Sequence, residues 1–566
     1  MRNPVALAAI FFGSTLLAQA PPELKPKGEA EPGIAVTNAV VKAKCSGCHR
    51  DDGQGHLTRI SWERTTPEGW QQIIKRMIRL NGLTLTPVEA REIVKSLSET
   101  HGLAPEEAKP VSWYWEKRQL ESEQLPTDTL RDACAACHPI AQPNSWRRSK
   151  VEWDLLANMH RGYFPVVEFN SFRRPPRAPG ATSGGGRGAA VTPPATPEKE
   201  PFEIALEHFT KANPLNTPEW AQWQAARRTP KLAGRWAVSA YLPGNGKFVG
   251  ESVIEAAGPD EFTAKTTLTS IKTGEKITRS SKAVVYTGYA WRGSATSGTN
   301  TEREVLAFSA DQQFAEGRWF WGGYSEFGYD VTLQRAGDGP VLLSTDTFAL
   351  PTGGKGLTVK IYGDALPGGL TPADLDFGNG ISVAGIASQS ATVLSIKLDV
   401  DPKAVIGKRD IFVRRAKLAS ALAVYKTIDY IKTPASAMAR LGGTTHPKGF
   451  YQFEAIGWSN GLDGKPETAD DVSLGPVSVN WSMEEFLSRY GDDDKEYVGS
   501  LGGEGLFTPN IEGPNEKRKF GSNNFGDVWV VATLAPTGAD KPLVSKTYFV
   551  VTVPAYMRWD QPEVGQ

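Results

Sequence analysis

All four cysteines of this chain lie in two five-residue runs, Cys45-Ser46-Gly47-Cys48-His49 and Cys134-Ala135-Ala136-Cys137-His138. Both read Cys-x-x-Cys-His, the attachment pattern of c-type haem. The spacing follows from the chemistry. Two thiols three positions apart each form a thioether to a vinyl group on one porphyrin edge, and the next residue, His49 or His138, is held beneath the iron as proximal ligand. A four-cysteine zinc site brings its pairs within ~15–20 residues and has no use for a histidine after each pair. A thioredoxin-type pair needs a βαβ context, which the surrounding pattern lacks. Cys45, Cys48, Cys134 and Cys137 therefore read as attachment points for two covalently bound c-type haems.

At 566 residues the chain exceeds a single core, and about 150 residues per domain suggests three or four. Lysine plus arginine equals aspartate plus glutamate, 63 each, so no global field points to nucleic acid or a membrane surface. Residues 1–20 carry Arg2, an apolar run from Val5 to Leu17 and Ala18-Gln19-Ala20 before Pro21. That is a signal peptide cut after Ala20, with an apolar run below the roughly twenty residues needed to span a bilayer. No later segment is apolar enough to span. Export agrees with c-type haem, which is attached outside the bacterial cytoplasm, so the mature protein is expected in the periplasm.

A helical pattern runs from Thr37 into Cys45. Thr66-Pro67 opens a second helix, threonine as cap and proline in the first turn, with Trp70, Ile73, Ile74, Met77 and Ile78 on its apolar stripe and Asn81-Gly82 at its end. Thr86-Pro87-Val88-Glu89 is a capping box for a third, with Ile93, Val94 and Leu97 inward. The first iron needs a sixth ligand. Met77 fits the ligand menu, though methionine is also a common gap-filler on such a face; His56 and His101 are rivals. Around the second run, Ser149-Lys150-Val151-Glu152 is again a capping box, and its helix puts Trp153, Leu156 and His160 on one face. Met159 points about 100° away, so one of Met159 and His160 faces the iron, and the pattern alone does not choose.

The first 172 residues thus divide into the signal peptide and a dihaem domain (21–172) that resembles a small class I cytochrome c. Residues 173–201 are a proline- and glycine-rich low-complexity insertion that buries too little apolar surface to order itself. Residues 202–233 read as a helical connector. From 234 to 350, alternating runs such as Arg235–Tyr241, Glu261–Leu268 and Tyr329–Leu333 predict an antiparallel barrel or sandwich. Residues 351–435 look like an immunoglobulin-type module of the TIG kind, and 436–566 like a last immunoglobulin-like sandwich. The fold class is multidomain: an α-helical dihaem cytochrome c domain followed by three all-β domains. Asn460–Gly464 reads as a hairpin turn rather than a calcium loop, Asp492-Asp493-Asp494 as a solvated turn, and Trp291, Trp319 and Trp321 as core. No catalytic triad, nucleotide loop or paired catalytic carboxylates stand out.

Arg76-Met77, Asn158-Met159-His160-Arg161-Gly162, Phe164-Pro165 and Glu168 resemble the α subunit of quinohaemoprotein amine dehydrogenase. So do Gly475 through Trp481, Tyr490-Gly491-Asp492-Asp493-Asp494, Glu512-Gly513-Pro514-Asn515 and Asn523-Asn524-Phe525-Gly526-Asp527. The insertion at 173–201 departs from that family's pattern. The resemblance implies His49 and Met77 on the first haem and His138 and His160 on the second. It also implies a heterotrimer: a β-propeller subunit, a small subunit carrying cysteine tryptophylquinone where the amine is oxidised, and this chain as the electron-transfer subunit. The external acceptor would be a soluble copper protein or cytochrome. A stand-alone dihaem enzyme of the cytochrome c peroxidase type, or a haem-bearing binding protein, are the alternative readings.

Overall fold

A computed structural model describes residues 29, 31–112, 127, 130, 134, 140–163, 201–337, 339–487, 491–535 and 541–554. The expected signal peptide, Cys137, His138, Phe164, Pro165, Glu168 and positions 173–200 of the insertion lie outside the described residues.

The N-terminal region is helical and its helices start where local chemistry says they should. In α1 (Ala39–Cys45), the Asn38 side chain accepts from the Val41 N–H at 2.9 Å. In α2 (Pro67–Asn81), the Thr66 side chain accepts from the Gly69 N–H; the helix stops at Gly82, whose φ of 70° suits a residue without a Cβ. The helix α3 (Pro87–Thr100) opens on the full Thr86/Glu89 capping box. The helix α4 (Lys150–Tyr163) has only half of its expected box. Ser149 Oγ accepts from the Glu152 N–H at 3.2 Å, but the Glu152 carboxylate accepts instead from Arg59 Nε at 2.6 Å. Immediately before α2 and α4, strands β1 (Glu63–Thr65) and β2 (Trp146–Arg148) pair antiparallel with Arg64 opposite Arg147.

The stretch read from sequence as a connector packs into this helical core. Ala205 and Phe209 of α5 (Pro201–Ala212) join Trp146 and Trp153, and Trp220 and Trp223 of α6 (Pro218–Ala226) join Trp70 and Ile93. Their apolar faces have to be covered, and the helical core covers them.

Eight antiparallel strands then close into a barrel: β3 (Gly234–Leu242), β4 (Gly246–Gly258), β5 (Glu261–Ser270), β6 (Lys276–Tyr286), β7 (Ala290–Ser297), β8 (Asn300–Phe308), β9 (Phe314–Trp321) and β10 (Phe327–Arg335), with β10 sealing on β3. Along β5, Phe262, Ala264, Thr266, Leu268 and Ser270 are buried and their neighbours are more exposed, the period of two that a closed sheet demands. Trp236, Trp291, Phe308 and Trp319 fill the interior.

Next comes a sandwich of two four-stranded sheets. One holds β11 (Val341–Thr345), β13 (Leu357–Asp364), β16 (Val393–Val400) and β15 (Ile381–Gln389); the other holds β12 (Ala349–Pro351), β18 (Ala416–Tyr425), β17 (Gly407–Val413) and β14 (Leu375–Asp376). The sequence pattern ran the barrel on to residue 350, but β11 and β12 pair into the sandwich because Leu342 and Leu350 are buried in its core, beside Val359 and Ile411. In the last region Ser436–Arg440 runs parallel to Leu543–Thr552 in a four-stranded sheet, over a core of Phe453, Phe507 and Phe549.

The helical region is locked to the barrel. Glu68 in the first turn of α2 forms a buried ion pair with Arg292 of β7. Lys95 of α3 donates to the Val285 carbonyl at 2.7 Å and pairs with Asp260 at 2.9 Å. Trp223 Nε1 donates to the Thr287 carbonyl at 3.0 Å, and Tyr289 Oη to that of Leu103 at 3.1 Å. Among the described residues, no helix is long and apolar enough to cross a membrane.

Candidate haem centres

The first attachment run begins at the end of α1. The Cys48 and His49 N–H groups both donate to the Cys45 carbonyl, at 3.2 and 2.8 Å, so the run turns tightly with both thiols on the same short segment. Cys45 is buried beside Trp70 and Ile74, whereas Cys48 is exposed. Burial, then the neighbouring Cys48, pushes the Cys45 thiol up, the opposite of what a redox-active thiolate needs. His49 Nδ1 lies 2.8 Å from the Thr58 carbonyl. A carbonyl only accepts, so the proton sits on Nδ1 and the lone pair on Nε2, the tautomer a ring needs to bind iron through Nε2. Lys44 ties α1 to the first turn of α3 through Glu89 at 3.0 Å.

Met77 is half-buried in the last turns of α2, and Asn81 Nδ2 donates to its sulfur at 3.6 Å. Beside it, Ile78 and Leu80 are 40% and 66% exposed, apolar surface of the kind a porphyrin face covers. Of the rival ligands, His101 has both ring nitrogens engaged, whereas His56 is held at Nδ1 alone. His56 Nδ1 is 2.8 Å from Asp52. Against some desolvation, the N–H groups of His56 and Gln54 and then the His56 ring hold the Asp52 carboxyl at about 2. His101 is fully buried, edge-on to Trp70. Its Nε2 faces the Ile34 carbonyl at 3.3 Å, so Nε2 carries the proton, and Nδ1 takes the Thr100 hydroxyl at 2.7 Å. Burial first lowers its pKa to about 4. Neither nitrogen of that neutral ring is left for iron.

In the second unit, Cys134 is half-buried against a cluster of Leu130, Trp146, Trp153, Ala205 and Phe209, with Leu156 alongside. His160 Nδ1 lies 2.9 Å from the Leu156 carbonyl of its own helix. As at His49, this puts the proton on Nδ1. Met159 is turned to α2, where its sulfur accepts from Arg76 Nη1 at 3.7 Å.

The two units repeat one scaffold, 83 positions apart. In the first, the His101 carbonyl, just past α3, accepts from the Thr65 N–H and from Trp70 Nε1, both at 2.9 Å. In the second, the Asn213 carbonyl, just past α5, accepts from the Arg148 N–H at 3.2 Å and from Trp153 Nε1 at 3.0 Å. The caps Thr66 and Ser149 and the tryptophans Trp70 and Trp153 are in register. So are Met77 and His160, each two turns beyond its tryptophan. The equivalent Arg64 and Arg147 share Glu107 between them, at 2.9 and 3.1 Å. Sequence reading passed over this register because the attachment runs themselves are offset by a different interval. It also missed an ionic cluster in which buried Arg148 pairs with Glu63 and the more exposed Arg59 caps buried Glu152. Burial first, then Glu63, pushes the Glu152 carboxyl up.

The β-region candidates resolve as structure. Asp470 accepts the Leu462 and Asp463 N–H groups in an ordinary turn, and Asp493 and Asp494 are ion-paired to Arg518, with Asp494 buried at the start of a short helix rather than in a solvated turn. Trp291 and Trp319 are barrel core.

The chemistry of this donor set fits haem: paired thiols on one turn, a histidine in the right tautomer, and a candidate sixth ligand from the same position of each repeat. A redesigned β barrel aligns at 19% identity and a TM-score of 0.17, over 19% of this chain and 92% of its own. A crystal structure of human protocadherin-24 EC1-2 aligns at 13% identity and a TM-score of 0.16, over 39% of this chain and 98% of its own. At such scores neither carries an argument. No curated protein matches. Family models match throughout: "quinohemoprotein amine dehydrogenase A, alpha subunit, haem binding" over 35–177, and domains II, III and IV of the same alpha subunit over 229–336, 349–426 and 431–564. With a haem-binding domain and three β domains matched in order, this chain belongs to the quinohemoprotein amine dehydrogenase alpha-subunit family.

Proposed function

We propose that this chain is the dihaem electron-transfer subunit of a periplasmic amine dehydrogenase. It takes electrons from a quinone cofactor, cysteine tryptophylquinone, on a small partner subunit and delivers them to a soluble copper protein or cytochrome. A β-propeller subunit completes the heterotrimer. The observation that carries the reading is the repeat: Met77 and His160 fall on one position of a duplicated scaffold whose attachment runs are both Cys-x-x-Cys-His.

Each bound haem supplies a reversible one-electron couple. The chain's own residues do the rest. Cys45, Cys48, Cys134 and Cys137 would hold the two porphyrins through thioethers, and His49 and His138 would bind their irons. Thr58 and Leu156 carbonyls keep the protons of His49 and His160 on Nδ1. A methionine ligand raises the potential relative to two histidines, so the His138/His160 site is the point of entry and the His49/Met77 site the exit. The helical elements support a class I cytochrome c-type domain, and the sandwich of two four-stranded sheets supports a TIG-type, immunoglobulin-like module. Amine oxidation itself belongs to the partner chain.

Purification from the native host, with subunit identification, haem counting and quinone staining, tests the proposal. Two haems on this chain, co-purifying with a quinone-staining small subunit, are expected. A chain isolated alone with a high-spin, open-coordinate haem would overturn it in favour of a stand-alone peroxidase-type enzyme.

A further inference from the structure

The two units are related by a local two-fold axis, and residues on that axis meet their own counterparts. In the β1–β2 pair, Arg64 faces Arg147, its equivalent. An antiparallel pair in register on equivalent residues is what a two-fold axis between the strands produces. Further along, the axis passes between α2 and α4, where Arg76 donates to its equivalent, Met159. The next residues on the two helices are Met77 and His160. Ile73, one turn before Arg76, packs against both the cluster that holds Cys45 and the cluster that holds Cys134.

Arg64 and Arg147 are neutralised on the axis by Glu107. Arg76 differs: among the described residues its guanidinium has a thioether partner and no carboxylate. Its charge also extends inward. The buried Arg148 guanidinium is lowered chiefly by desolvation, and Arg76 is among the cations that add to that effect. A cation close to a site that gains an electron favours the reduced state, and one beside a two-fold axis lies near both sites.

We propose that Arg76 is a positioning residue of the relay whose charge holds up the reduction potentials of both haem sites together. This rests on the two-haem reading above. Each site's reduction becomes more favourable while their difference, set by the Met77/His160 inequality, is preserved. The pair is raised without losing its downhill step.

The test is spectroelectrochemical titration of the intact holoprotein, matured with its haems, at low ionic strength where exposed charges are least screened. In Arg76→Gln both reduction equilibrium constants should fall by about threefold or more, which is about 30 mV by the one-electron relation of 59 mV per decade. Arg76→Lys should keep both midpoints, and Met159→Leu, which retains the cation, should leave them in place. Haem counting on each variant separates the two levels of the argument. A wild-type count other than two overturns the two-haem reading itself. Two haems with unchanged midpoints in Arg76→Gln, or a fall at one site alone, overturns the role of Arg76 and leaves that reading standing.

Discussion

The two halves of the haem-binding region use the same joints for different ends. In each, a strand runs into a capped helix, a tryptophan indole and a strand N–H meet on one carbonyl, and a ligand candidate follows two turns later. The first half is contiguous, from α1 to His101. The second reaches its closing helix, α5, only beyond residue 200. What differs at the position proposed for the sixth ligand is one side chain, a thioether against an imidazole. A duplicated scaffold can thus make two unequal sites by changing a single residue in one copy and keeping the framework that aims it.

Exchanging those side chains is the strongest way to break the comparison. His160→Met should raise the second site's potential and Met77→His should lower the first's, each by a sizeable part of the ~0.8 V that axial ligands span. The double exchange should reverse their order in a redox titration. If either variant instead loses low-spin character, the positions are not equivalent.

A smaller asymmetry concerns acid. The carbonyl-bearing residue is His101 in the first half and Asn213 in the second. With its pKa lowered to about 4, His101 stays neutral in the fold while the unfolded chain takes up a proton below about 6.5. Stability of the first half should therefore fall from pH 6.5 down to about 4, by roughly 3 kcal/mol, and then level off. Denaturant unfolding followed by haem absorbance at several pH values checks this. His101→Asn, the second half's own choice, should flatten the slope.

The smallest contrast is in the caps. Thr66→Ala and Ser149→Ala should each cost about 1 kcal/mol. Ser149 should cost about 0.5–1 kcal/mol more, because its hydroxyl also donates to Glu29 at 2.5 Å. Equal losses in thermal unfolding would show that the Glu29 bond contributes nothing.

What the sequence made legible was local. Thr66-Pro67 and the Thr86/Glu89 box are read from four consecutive residues, and the alternation of Glu261–Leu268 announces a half-buried strand. What escaped depends on partners far along the chain. Glu152 abandons its capping box for Arg59, 93 positions away. Short strands β11 and β12 carry too few residues for their pattern to say which neighbour they join. The membership of α5 in the second unit is hidden by the long segment before it. Of the site, the attachment runs stood out at once because covalent chemistry fixes their spacing. The helical pattern did not separate Met159 from His160, and the resemblance alone chose His160.

The buried pairing of Glu68 with Arg292 has a consequence for rate as well as for fold. It pins the first turn of the Met77 helix to the barrel wall, and Lys95 of α3 and Trp223 of α6 add further bonds to the barrel. Domains joined by small polar interfaces swivel; here the joint is stiffened by an ion pair whose rupture would strand a buried charge, at about 3–5 kcal/mol. Electron tunnelling weakens steeply with separation, so a swivelling joint would make the passage time wander with every fluctuation. With the helix end welded to the barrel, the separation between the barrel wall and Met77 stays constant, the condition an electron path along that route would need.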